Sequence, residues 1–71
     1  MSMNSACSRK SFIEKLREMH FYGPVNIAGN QYMIYHGRAF AIPGTPQYSI
    51  SQFRFLVKEV ENIASHEEWD R

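Results

Sequence analysis

Residues Val25 to Ile42, VNIAGNQYMIYHGRAFAI, contain three short apolar runs separated only by Gly29-Asn30 and by Gly37. Connections this short join only antiparallel neighbours, because a parallel crossover needs a dozen or more residues. We therefore predict a three-stranded antiparallel meander, with strands over residues 25–28, 31–36 and 38–42.

An amphipathic helix is predicted before the meander. Ser11 and Glu14 have the spacing of a capping box, and Ser8 offers a second start. Gly23 can adopt the left-handed conformation that ends a helix, and Pro24 prevents its continuation. The apolar stripe of this helix is formed by Phe12, Ile13, Leu16, Met19 and His20.

A second helix with a stronger pattern is predicted after the meander. Pro43-Gly44-Thr45-Pro46 ends the sheet, and Ser49 with Gln52 has capping-box spacing. Apolar residues then recur every three or four positions up to an expected end near Ala64 or Ser65. The residues predicted to form the core are Phe53, Leu56, Val60 and Ile63. The fold class is thus α+β, in the order α-β-β-β-α, with both helices on one face of the sheet.

The hydrophobic pattern does not determine which face of the third strand packs against the helices. Small Ala39 and Ala41 would let a helix approach closely, with Phe40 among aromatic side chains on the opposite, open face. Alternatively, Phe40 belongs to the core and the alanines face water.

A chain of 71 residues has room for one domain. We predict an N-terminal tail over residues 1–7, the domain over 8–65 and an acidic tail over 66–71, whose Trp69 folds back or contacts a partner. Cys7 is the single cysteine, so we expect a free thiol in a reducing compartment and no intramolecular disulfide. No apolar stretch approaches the roughly 18 residues of a membrane span, and residues 1–9 lack the apolar core of a signal peptide. We therefore expect a cytoplasmic location.

Charge is distributed unevenly along the chain. Residues 1–42 carry a net charge of +3, whereas residues 43–71 carry −2. This split is typical of a solvated surface with chance segregation, or of a basic front face for an anionic partner.

No metal site, cofactor site or catalytic constellation is predicted. His20, His36 and His66 do not pair with each other or with Cys7 at metal-ligand spacing. His36 lies near the guanidinium of Arg38, an arrangement that can bind or cleave a phosphodiester. Alternatively, His36 is simply a turn residue.

The predicted order of helix, three antiparallel strands and helix is formed by FIEKL (12–16), the Gly29-Asn30 turn, QYMIY (31–35), AFAIP (39–43) and Phe53 to Ile63. These segments resemble the HicA-type mRNA interferase family, whose domains are similar to double-stranded-RNA-binding domains. The resemblance covers most of residues 11–64. It implies an RNA partner, but this family commonly has its catalytic histidine just after a Gly-Ser pair at the start of the second strand. Here that stretch reads Gly29-Asn30-Gln31-Tyr32, which implies binding without cleavage.

The leading functional prediction is a small non-catalytic module that binds nucleic acid, RNA rather than DNA. Lys10, Arg17 and Arg38 would contact phosphates, and Asn30, Gln31 and His36 would approach sugars or base edges. The alternative is a protein-interaction module, a regulator or inhibitor of a larger enzyme, working as a monomer or a homodimer. A third prediction is a ribonuclease that uses His36.

Overall fold

The computed structural model describes the backbone of residues 7–69 and the side chains of residues 7–64. The predictions for residues 1–6, for the side chain of Trp69 and for residues 70–71 lie outside this range. In chain order the elements are β1 (Cys7–Ser8), α1 (Arg9–Glu18), β2 (Tyr22–Ile27), β3 (Asn30–Tyr35), β4 (Arg38–Ala41), β5 (Gln47–Tyr48) and α2 (Ile50–Trp69).

The predicted α+β class is confirmed. β2, β3 and β4 form an antiparallel sheet in that order. The turns differ from the prediction by one residue each, since the loops are Ala28-Gly29 and His36-Gly37. All four loop residues have positive φ, which is the backbone of the type I′ turn that matches the twist of a two-residue hairpin. Asn30, predicted in the first turn, therefore begins β3. His36, predicted either at the end of the second strand or as a turn residue, lies in the second turn.

A second, two-stranded sheet was absent from the prediction. β1 pairs antiparallel with β5, and Cys7 lies opposite Tyr48. The backbone N–H of Arg9 then donates to the carbonyl of Pro46 at 2.9 Å. Cys7, which was predicted in the N-terminal tail, is thus held within the fold.

Helix α1 begins at the second of the two predicted starts. Ser8 is the N-cap, and its hydroxyl accepts from the N–H of Ser11 at 3.1 Å. The capping box predicted at Ser11 and Glu14 is wrong, because Ser11 already lies inside the helix. The side-chain hydroxyl of Ser8 satisfies an amide that would otherwise lack a partner at the helix start.

Helix α1 also ends earlier than Gly23. His20, with φ 74°, takes the left-handed position after the helix. Its N–H donates to the Arg17 carbonyl at 3.0 Å, and the N–H of Phe21 donates to the Leu16 carbonyl at 2.9 Å. These two bonds, together with the burial of Leu16 and Phe21, form a Schellman motif. His20 is therefore a helix-terminating residue rather than part of the apolar stripe.

The capping box at the start of α2 is confirmed. The N–H of Gln52 donates to the Ser49 hydroxyl at 3.1 Å, and the N–H of Ser49 donates to the Gln52 side-chain oxygen at 3.0 Å. The helix continues to Trp69, beyond the end predicted near Ala64 or Ser65. The sequence after Ala64 contains neither glycine nor proline to stop it.

Both helices pack on one face of the larger sheet. Met33 of β3 lies opposite Phe40 of β4, so their side chains share a face, and both are buried. These two join one core cluster with residues of both helices, and Phe53 and Ile63 pack against it half-buried. Of the four predicted core residues of α2, Leu56 and Val60 are thus the buried pair. The buried cluster comprises Phe12, Ile13, Leu16, Phe21, Met33, Phe40, Ile42, Tyr48, Leu56 and Val60.

Candidate functional site

The strand candidates for nucleic-acid binding lie at two opposite ends of β3. Asn30 and Gln31 begin this strand, whereas His36 follows its last residue and Arg38 begins β4. The five residue steps from Asn30 to Tyr35 span about 17 Å along the strand. The structure therefore divides these candidates between two ends of the sheet.

The helical candidates divide in the same way. Arg9 at the start of α1 reaches Gln31, so Lys10, the next residue, belongs to that end. Phe21, just after α1, stacks on Tyr35 at the other end with ring centroids 4.7 Å apart. The first end thus holds Lys10, Asn30 and Gln31, and the second holds Arg17, His36 and Arg38. The exposed members are Lys10, Arg17, Asn30, His36 and Arg38, while Gln31 is half-buried.

Arg9 is the residue of the first end that the predictions missed. Its guanidinium donates from Nη2 to Oε1 of Gln31, and from Nε to the Pro43 carbonyl at 3.2 Å. These bonds tie α1 to β3 and to the loop after β4. The possible helix start at Ser8 was the sequence signal that could have identified Arg9, because a helix capped by Ser8 has Arg9 as its first residue. Arg9 lines a polar cavity of about 400 Å³ together with Asn26, Gly29, Asn30, Gln31, Ile42 and Gly44.

The Pro43 carbonyl that Arg9 contacts also accepts from Tyr48. The Tyr48 hydroxyl lies 2.8 Å from this oxygen, and the side chain is fully buried. Burial raises the pKa of the Tyr48 phenol, and the positive charge of Arg9 offsets part of this rise. The Arg9 guanidinium and the Gln31 side chain therefore take part in the internal bonding of the fold.

The second end is built around a turn and an aromatic stack. His36 is the first turn residue, with φ 50°, and its ring meets that of Tyr35 edge-on at 4.4 Å between centroids. Tyr35 stacks in turn on Phe21, which contacts Phe40 in the core. Within the described residues no group of three His, Cys, Asp or Glu side chains is placed to hold a metal ion. Ribonuclease action by His36 stays a prediction.

The opposite face of the larger sheet is a third candidate surface. Since Phe40 is buried with Met33, the second alternative for this strand is the correct one, and Ala39 and Ala41 are exposed. Partners in the ladder share a face, so the side chains on this side follow from the register. We call this surface the open face; it comprises Tyr22, Val25, Ile27, Asn30, Tyr32, Ile34, Ala39 and Ala41.

The open face carries no charge. Within β2, β3 and β4 the one charged residue is Arg38, which lies on the core side with Phe40. Tyr22 is 70% exposed and Ile27 is 49% exposed. Large apolar side chains are thus left in contact with solvent on a contiguous, uncharged sheet surface.

A further apolar groove of about 370 Å³ lies between the two helices, and Cys7 is one of its lining residues. Burial raises the pKa of the Cys7 thiol, which lowers the thiolate fraction at neutral pH. The other apolar lining residues are Phe12, Leu16, Met19, Phe53, Val57 and Val60.

Comparisons of the chain with protein-family models, curated proteins and solved structures give no match. Within residues 7–69, neither helix is long and apolar enough to cross a membrane. The resemblance to the HicA-type family accordingly stays a prediction from the sequence.

Proposed function

We propose that this protein is a protein-interaction module that binds another protein through the open face of its sheet. The observation that carries the proposal is the exposure of an uncharged surface that spans three strands. Contiguous exposed apolar surface on a small domain is typical of a binding site. Tyrosines such as Tyr22 and Tyr32 are enriched in protein interfaces, whose central parts contain few charged residues.

A nucleic-acid surface needs cations, and the open face has none. Protein surfaces that bind single-stranded nucleic acid combine aromatic rings, on which the bases stack, with a positively charged groove. Here the cations predicted to contact phosphates, Lys10, Arg17 and Arg38, lie on other surfaces. A protein partner with a complementary apolar surface fits the open face better than a phosphate backbone does.

The proposal is tested by capturing partner proteins with the full chain and measuring the affinity of each one after purification. The full chain retrieves proteins from a lysate of its source cell, and the affinity of each purified candidate is measured by calorimetry. Tyr22→Lys places a charge on the open face without touching the core and should weaken binding by at least about tenfold, the effect of an interface residue worth more than about 1.4 kcal/mol.

Two control variants make the result specific to this surface. Tyr22→Phe keeps the ring, and Arg17→Ala changes an exposed residue of α1 away from the open face, so both should bind within about threefold of the unmodified chain. A partner that binds Tyr22→Lys as tightly as the unmodified chain would refute the proposal.

Nucleic-acid binding is a second candidate function, favoured by the polar cavity that Arg9, Asn30 and Gln31 line next to Lys10. It agrees with the resemblance to the HicA-type family. If Lys10 binds one phosphate of an RNA duplex, Lys10→Ala should reduce the slope of log affinity against log salt by about one unit. Arg38→Ala, at the other end of the sheet, tests whether both ends contribute. An absence of RNA and DNA binding at low salt would exclude this candidate.

A further inference from the structure

The outer edge of β4 presents backbone groups that β3 does not use. The N–H of Ile42 donates to the Gln31 carbonyl at 2.9 Å, which marks this as a hydrogen-bonded pair of the ladder. Such pairs alternate with non-bonded ones along an antiparallel ladder. Ala39 and Ala41 lie at the non-bonded positions opposite Ile34 and Tyr32. Their N–H and C=O groups therefore point away from the sheet.

The two edges of the sheet differ in how they are protected. The β2 edge contains Pro24, which lacks an N–H, and a register shift between Tyr22 and Val25. Proline and bulges are devices that prevent an edge from pairing with another strand. The β4 edge has exposed Ala39 and Ala41, and Arg38–Ala41 contains neither a proline nor a register shift. Within the described chain β5 does not cover it, because β5 pairs with β1.

We propose that β4 pairs antiparallel with β4 of a second copy of this chain. A two-fold axis through the Phe40 positions places Ala39 opposite Ala41 of the second copy. In this register both alanines of each chain form hydrogen-bonded pairs, and each pair exchanges two N–H···O bonds. A shift of two residues in either direction would leave one alanine of each chain opposite Gly37 or Pro43, beyond the strand. The interface is isologous, as in most homodimers.

The charges along this edge favour a second copy as the occupant. In the proposed register Arg38 lies opposite Ile42, so the two copies of Arg38 are about 13 Å apart along the strands. This separation exceeds the Debye length of about 8 Å at physiological ionic strength. The paired alanines are uncharged, and no like charges oppose each other.

The area of the contact predicts a weak dimer. A standard interface buries about 800 Å² per partner, more than a four-residue strand provides by itself. Phe55 adds to it, because this side chain is 63% exposed and lines a groove of about 620 Å³ with Ala41 and Ile42. Arg38 of the second copy, opposite Ile42, would lie beside this groove. We expect a dissociation constant of about 1–100 μM, as for interfaces at the small end of the range.

The dimer goes beyond the proposed function, because it uses backbone N–H and C=O groups at the β4 edge, whereas the proposed partner contacts side chains of the open face. An axis perpendicular to the sheet keeps both open faces on the same side. Two three-stranded surfaces would then join into one continuous six-stranded surface. Self-association through β4 leaves the open face free to bind its partner.

Sedimentation equilibrium of the full chain between about 5 μM and 1 mM tests the proposal. We expect a monomer–dimer equilibrium that Ala41→Pro weakens at least about tenfold, because proline removes the outward N–H but no bond to β3. Ala41→Ser retains the N–H and should associate as the unmodified chain does. Tyr22→Lys on the open face should also leave the dimer unchanged.

Amide hydrogen exchange of the unmodified chain gives a test that does not depend on a folded proline variant. Exchange at Ala39 and Ala41 should slow at least about fivefold between the lowest and highest concentrations. Asn26, at an outward position of the β2 edge, should not change. A monomer up to 1 mM would overturn the dimer and leave the proposed function standing. A dimer abolished by Tyr22→Lys, with both alanine amides unprotected, would overturn the edge contact and indicate face-to-face association.

Discussion

At the scale of single residues, the backbone is most constrained where the chain reverses direction. His20, Ala28 and His36 have φ of 74°, 52° and 50°, a conformation that non-glycine residues rarely adopt. Two of these positions are occupied by histidine, a residue type that is common in catalytic and metal-binding sites. Their geometry assigns them to a helix end and a hairpin turn, so local backbone form accounts for both.

Replacement of His20 by glycine should stabilise the fold. His20 occupies the left-handed position of the Schellman motif, where glycine has no Cβ penalty. We expect His20→Gly to raise the free energy of unfolding by about 0.5–1 kcal/mol, measured from urea unfolding at constant slope. His20→Ala keeps the strained Cβ and should give no gain. A lower midpoint for His20→Gly would mean that the imidazole makes a stabilising contact.

Gly23 should tolerate no side chain. Its φ is +136°, and a Cβ there would lie 2.8 Å from the Tyr32 carbonyl oxygen and 3.1 Å from Sδ of Met33. Gly23→Ala should therefore lower the free energy of unfolding by about 1–3 kcal/mol. Gly44→Ala is the matched control, because a Cβ there meets no heavy atom within 4 Å, and it should change stability by less than about 0.5 kcal/mol. Equal urea midpoints for the two variants would contradict this account.

At the scale of elements, the type of each long element could be predicted, and so could the start of α2 after Ser49, but most other ends could not. Hydrophobic spacing after Ser49 repeats every three or four residues, so α2 was predictable as a helix. Ser8 and Ser11 both precede helical residues, and sequence spacing alone favoured the wrong cap. The orientation of Phe40 was undetermined because β3 has apolar residues on both faces. β1 and β5 are two residues each, too short to show a period.

The orientation of α2 can be tested with two adjacent residues. Leu56 is 2% exposed and belongs to the core, whereas Phe55 is 63% exposed. Leu56→Ala should cost about 2–5 kcal/mol, which could abolish folding in so small a domain. Phe55→Ala, measured at a concentration that keeps the chain monomeric, should cost less than about 1 kcal/mol. Thermal or urea unfolding measures both variants. A larger loss of unfolding free energy for Phe55→Ala than for Leu56→Ala would contradict the observed orientation of α2.

At the scale of the whole molecule, candidate sites depend on which distant residues the topology brings together. Lys10, Gln31 and Arg38 were each recognisable as polar or basic from the sequence. Their division between two ends of the sheet follows from the strand directions and from Arg9 binding Gln31. The open face could not be identified from the sequence, because its residues come from three strands. The register of these strands depends on the turns, and each predicted turn differed by one residue from the observed one.

Alkaline pH should lower the free energy of unfolding. The pKa of Cys7 and that of Tyr48 are both raised by burial, so the folded chain retains these protons longer than the unfolded chain does. The unfolded chain begins to lose them near its ordinary values, about 8.5 for cysteine and about 10 for tyrosine. Stability is therefore complete below about pH 8 and falls as the pH rises through and above these values.

Urea midpoints measured between pH 7 and 10.5 check this prediction, since the midpoint should stay level at first and then decrease. Cys7→Ala should remove the part of the decrease that begins near pH 8.5. Tyr48→Phe loses the bond to Pro43 and about 1 kcal/mol of stability at pH 7, yet it should show a shallower decrease above about pH 10 than the unmodified chain. A midpoint that is constant to pH 10.5, or a Tyr48→Phe variant with the full decrease, would contradict burial as the cause, because the phenol would then ionise equally in the folded and unfolded chains.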